Sequence, residues 1–144
     1  MSSVQAASPN ELRDEWLSRL EALVKQVKLW AEQLGWSTRE IEKSLDDSEI
    51  GKYQAPALLL QEGTIRILLE PIARSAPGAE GIVDLYLMPA YDDIASLYLY
   101  GGCWHVHYMF PGTPNAATIR DAEARPLSET TLQAVLDEMK KNVV

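Results

Sequence analysis

The sequence predicts an α+β fold: an antiparallel meander of five to six strands, with a long N-terminal helix, a short second helix and a C-terminal helix packed on one face. Three observations carry that expectation. Residues 81–110, GIVDLYLMPAYDDIASLYLYGGCWHVHYMF, are rich in aromatic and β-branched residues on both sides of Gly101-Gly102, a hairpin signal. Leu12, Trp16, Leu20, Leu23, Val27, Trp30 and Leu34 step by threes and fours, the spacing of one helix face. Leu132, Val135, Leu136 and Met139 repeat that spacing near the C-terminus.

Residues 1–8 read as a tail, small and polar over 1–7 and expected to be disordered. Residues 9–144 read as a single domain. Ser8-Pro9-Asn10-Glu11 has the form of a capping box with proline in the first helical turn, in which the Ser oxygen takes a free amide and Glu11 reaches back. Gly35 follows Leu34 and can end the helix in the left-handed conformation. Ser37-Thr38-Arg39-Glu40 repeats the capping pattern, and Ile41 and Leu45 share one side of the short helix it would open. The acidic run Asp46-Asp47-Ser48-Glu49 lacks the ligand spacing of a calcium loop and reads as a solvated turn.

Two strands are expected on either side of Glu62-Gly63, pairing Leu60 with Ile65 and Leu58 with Ile67 and ending at Pro71, which has no amide to donate. Residues 72–80 form a loop into the central stretch. A two-residue Gly101-Gly102 turn sets Leu99 opposite Trp104, Tyr98 opposite His105 and Ser96 opposite His107. A turn over 89–93 pairs Leu85 with Leu97, Asp84 with Tyr98 and Tyr86 with Ser96. Side chains alternate across a strand. Both turns therefore place Val83, Leu85, Leu87, Leu97, Leu99, Trp104 and Val106 on one face. Asp84, Tyr86, Ser96, Tyr98, Tyr100, Cys103, His105 and His107 fall on the other. Residues 116–124 are ambiguous, with a short edge strand possible around 118–120. Ser128 caps the last helix, with Leu127 and Leu132 spaced as a hydrophobic staple.

At 144 residues, 47% hydrophobic and 24% charged, the chain suits one domain with a full core. A lone cysteine fits a reducing compartment. The first residues lack the pattern of a secretory leader, and no apolar run is long enough to span a membrane. A cytoplasmic protein is expected. The net charge of −8, with no Lys or Arg between Ser75 and Ile119, argues against nucleic acid as a partner.

Element order and acidic, cysteine-poor composition resemble the small acidic bacterial chaperones of secretion effectors. Those folds place a helix between two groups of strands. Neither the turn at 89–93 nor the Pro/Gly-rich loop at 72–80 has room for one. The pattern also resembles the cone-shaped sheet of the nuclear-transport-factor superfamily.

The second face carries the candidate chemistry. On the expected register Asp84, Tyr98 and His105 share a row, an arrangement able to orient an imidazole or work as acid and base. His105 and His107 project from the same side of one strand, as ligands do in some zinc sites, but two histidines fall short of a tetrahedral set. No phosphate loop or nucleophile elbow is present, so no cofactor, metal or catalytic residue is assigned. Tyr86, Tyr98, Tyr100, His105 and His107 make an aromatic surface poor in charge, the composition of interface centres. The function expected is a binding or assembly module acting through this face, with a homodimer or protein partner. The alternative is a small-molecule enzyme or metal protein using the Asp84, Tyr98 and His105 row.

Overall fold

The computed structural model describes residues 7–111 and 124–143. Helix α1 (Pro9–Gln33) is followed by strands β1 (Ser37–Asp47), β2 (Gly51–Glu62), β3 (Ile65–Ala73), β4 (Gly81–Leu87), β5 (Asp92–Tyr100), β6 (Cys103–His107) and β7 (Ala124–Pro126), then by helix α2 (Glu129–Lys141). Among the described residues the seven strands form one antiparallel meander in chain order. The class is α+β, with a long helix at the start and a shorter one at the end. The edge strand expected around 118–120 and most of the tail lie outside the described residues.

Helix α1 begins as its capping box requires. Ser8 Oγ accepts the Glu11 amide at 3.2 Å and donates to the Glu11 carboxylate. It ends with Gly35 at φ 95°. The Trp36 amide there reaches the Ala31 carbonyl at 2.9 Å and the Gly35 amide reaches that of Glu32, the double closure of a left-handed helix end. Trp16, Leu20, Leu23, Val24, Val27 and Ala31 are buried. On α2 the buried residues are Leu132, Val135, Leu136 and Met139. Both helices cover the same sheet face: Val27, Leu132 and Val135 meet over Leu69, Leu85, Leu97 and Val106.

The short second helix is corrected to a strand. Ser37–Asp47 pairs residue for residue with β2, from Ser37 opposite Gln61 to Asp47 opposite Gly51. An isolated helix of that length gains little in water, whereas eleven ladder positions satisfy its backbone along one side. Ile41 and Leu45, four apart, fit a helix face and a strand face equally well. The acidic run is the hairpin turn, where Asp47 Oδ1 accepts the Glu49 amide at 2.7 Å and the Ile50 amide at 3.1 Å.

Two registers also differ from expectation, each by two residues. The turn between β2 and β3 is Gly63-Thr64, with Gly63 at φ 61°, so Glu62 faces Ile65, Leu60 faces Ile67 and Leu58 faces Leu69. Pro71 does not end β3, because it pairs with Val83 and a bulge at Ile72 absorbs the irregularity. The ladder to β2 does stop at Leu58 and Leu69. Two places further on, the same register would set Pro56 against Pro71, and neither can donate an amide.

Beyond that point the hairpin formed by β1 and β2 is tied to its surroundings by side chains. Lys43 pairs with Glu70, and Arg74 pairs with Asp47 at 3.3 Å and Glu49 at 2.8 Å. The Trp16 indole donates to Tyr53 Oη at 3.0 Å. The burial alternation of β2 shifts phase here, with Ala57 and Leu58 both buried.

Trp16 sits against bare backbone on β4. A methyl group added at Gly81 would lie 2.7 Å from Trp16 Cη2 and nearer still to Cζ3. Gly81→Ala should therefore destabilise the fold by about 1–3 kcal/mol through overpacking, read as a lower urea midpoint. In a Trp16→Leu background the same change should cost much less. An equal penalty in both backgrounds would show that the indole is not what Gly81 accommodates.

Candidate functional site

The Gly101-Gly102 hairpin is as expected. Both glycines have positive φ, 60° and 75°. Tyr100 faces Cys103, Leu99 faces Trp104, Tyr98 faces His105 and Ser96 faces His107. The preceding turn is tighter than its symmetric closure over 89–93. Leu87 pairs with Asp92, the loop is 88–91 with a cis Met88-Pro89 bond, and one extra residue on β5 forms a bulge. Tyr91 at φ 56° and Asp93 at φ 49° supply the left-handed positions. The register therefore lies two residues from the expected one: Val83 faces Leu97, Asp84 faces Ser96 and Ile82 faces Tyr98.

A two-residue shift keeps every side chain on its face and changes its neighbours. The row of Asp84, Tyr98 and His105 is corrected to two rows: Glu70, Asp84, Ser96 and His107 in one, Ile82, Tyr98 and His105 in the next. Tyr86 lies beside Leu68, not Ser96.

Asp84 is the polar hub of this face. Its Oδ1 accepts from Ser96 Oγ at 2.8 Å and its Oδ2 from Tyr86 Oη at 2.9 Å. Burial pushes its carboxyl above the usual carboxylate range. The two hydrogen bonds pull the other way, and Glu70 directly across the strand pair adds to the rise. Burial also raises the Tyr86 phenol, helped by the neighbouring Asp84 charge. The Glu70 charge is met by Lys43 from β1.

The remaining aromatics are organised by one another. Tyr100 and His105 stack face to face, with centroids 3.6 Å apart and planes 4° from parallel. Tyr98 meets His107 edge-on at 4.7 Å. Tyr86 meets Tyr91 edge-on at 5.7 Å. Tyr91 and Met109, 50% and 40% exposed, are two of four exposed large hydrophobics among the described residues. Sequence places Tyr91 only in a turn, yet its contact with Tyr86 extends the aromatic surface. Pro77 and Gly78, read as loop, join Tyr98, Tyr100 and His107 in lining a crevice of about 130 Å³. Lys43 reaches Glu70 because 37–47 is a strand and not the short helix that the sequence suggests. Cys103 is exposed at the hairpin tip.

Among the described residues, no group of three or more His, Cys, Asp or Glu side chains is placed to hold a metal ion. No helix there is long and apolar enough to cross a membrane. No family model, curated protein or solved structure matches the chain.

Asp84 supplies a test of this electrostatic arrangement. A carboxyl whose folded pKa is raised binds more protons folded than unfolded, so it contributes stability at low pH. That contribution is lost as pH rises from about 4, the usual carboxylate value, through the raised folded value. Asp47 works in the opposite sense. Burial alone would raise its carboxyl, but the Glu49 and Ile50 amides and Arg74 outweigh burial and hold it low. Comparing parent with Asp84→Asn isolates Asp84. The parent should lose stability relative to the variant as pH climbs through that window, in urea midpoints taken from about pH 3 to about pH 8. A difference independent of pH would show that the Asp84 carboxyl is unperturbed by folding.

Proposed function

We propose that this protein is a binding and assembly module that works through the second face of its sheet, with a second copy of the chain as partner. The observation that supports this reading is that the charges at the centre of the face can be covered without losing their partners. Asp84 is already held by Ser96 and Tyr86, and Glu70 by Lys43. Around these groups lie Tyr86, Tyr91, Tyr98, Tyr100, His105 and His107. Burying a polar group is costly mainly when it loses a partner. Here the partners come along. Tyrosine adds contact area at small entropy cost while its hydroxyl retains a polar contact.

The enzyme reading has less support. Asp84, Tyr98 and His105 do not share a row, and the two hydrogen bonds to Asp84 occupy the carboxylate that would orient an imidazole.

In a symmetric dimer each patch meets its own copy. Tyr98→Glu would then place two carboxylates near one another inside the contact, and like charges juxtaposed in an interface cost several kcal/mol. The expected result is a dimer for the parent by light scattering and dimerisation weakened at least about a hundredfold for the variant, with circular dichroism unchanged. A parent that remains monomeric at high micromolar concentration would remove the second copy as partner.

A further inference from the structure

We infer that assembly through the second face is coupled to the uptake of one proton by each Asp84, so that acid strengthens the contact. This rests on the reading of that face as the place where two copies meet, and it names how the contact is regulated. Glu70 of β3 and Asp84 of β4 stand directly opposite one another, and like charges so placed repel. Lys43 of β1 brings one positive charge. It pairs with Glu70 and also donates to the Pro71 carbonyl at 3.4 Å. The partners of Asp84 are uncharged: Ser96 Oγ donates at 2.8 Å and Tyr86 Oη at 2.9 Å. His107 of β6 lies beyond Ser96, and Tyr91 reaches the site through Tyr86.

Counting Glu70, Asp84 and Lys43, each copy brings one net negative charge to the centre of the face. A symmetric dimer sets the same patch against itself, so two such charges leave water together. Coverage keeps the hydroxyl partners of Asp84 but removes the solvent that screens its charge. Burial already pushes this carboxyl above the usual carboxylate range in the single chain. A second copy acts in the same direction twice, by further desolvation and by the charge of its own Asp84.

One proton taken from water by each carboxylate removes the charge and keeps the network. The new carboxyl O–H can donate to either neighbour, because a hydroxyl both donates and accepts. The dimer then binds more protons than two separate chains. Association therefore tightens as pH falls through the Asp84 value in the dimer, and stops tightening below its value in the single chain.

The test measures the dimer dissociation constant by sedimentation equilibrium from about pH 8 to about pH 5.5, for the full chain, Asp84→Asn and Glu70→Gln. Circular dichroism checks that each variant is folded. Acid also reduces the net charge of −8, which eases any association, and Asp84→Asn shares that general effect. Over this range the parent should tighten at least about tenfold more than Asp84→Asn, and the variant should be the tighter dimer at the alkaline end. Glu70→Gln frees Lys43 to offset Asp84 and should flatten the dependence in the same way. The two variants act at different positions, so either one decides the matter alone. A parent dimer that tightens no more than Asp84→Asn would overturn the inference and leave assembly standing, as would a Glu70→Gln dimer that keeps the parent's full dependence. A parent that is monomeric at high micromolar concentration across the whole range would overturn both.

Discussion

The packing of this molecule depends on the Trp16 indole. The side chain leaves the first half of α1, lies on the backbone of β4 at Gly81, and approaches Trp104 of β6 with centroids 6.4 Å apart. Its N–H ends on Tyr53 of β2. One residue therefore fixes the helix against three strands, and it can do so only because Gly81 lacks a Cβ. The Tyr53 contact also satisfies a donor that would otherwise be buried without a partner, which cores tolerate poorly. Leu20, Leu23, Val24 and Val27 continue the same buried stripe of α1.

That anchor matters most where the sheet itself gives out. Hydrogen bonding between β2 and β3 ends just before Pro56 and Pro71 would meet. From there the far half of the first hairpin relies on Tyr53, on Lys43 with Glu70, and on Arg74 with Asp47 and Glu49. The side chains of Arg74 and Asp47 are only 12% and 15% exposed, so this pair is less screened than the ion pairs on the outer surface of α1. Two prolines have in effect exchanged backbone hydrogen bonds for side-chain ones. The pair closest to the break, Lys43 and Glu70, also neutralises the charge beside Asp84, so the same irregularity shapes the second face.

The class of fold, both long-range helix stripes and the two faces of the central sheet were legible in the sequence, and alternation explains why. A register can move by two residues without carrying any side chain through the sheet. Leu58, Leu60, Val83, Leu85, Leu97 and Val106 are core on either register. Rows are another matter. The tight loop at 88–91 and the bulge on β5 put Asp84 beside Ser96 instead of Tyr98, and no periodicity in Asp84, Tyr86 or Ser96 distinguishes the two pairings. The misread helix has a similar cause. Residues 37–47 hold only two large apolar side chains, and what decides their state is the β2 ladder, which is a tertiary fact.

The edges of the sheet bear on how copies of the chain could meet. The β1 edge is long, but it carries Arg39, Glu40, Glu42, Lys43 and Asp46, and charges along an edge discourage pairing with another strand. The β7 edge is three residues long and closes with Pro126, which cannot extend a ladder. Association by adding strands is therefore blunted on both sides. One face is filled by α1 and α2. The other presents ring against ring, and its carboxylates are already engaged. If copies of this chain associate through the sheet, contact between second faces requires less of the structure than contact between edges. It leaves the hydrogen-bonded ladder intact and asks only that the tyrosines give up water.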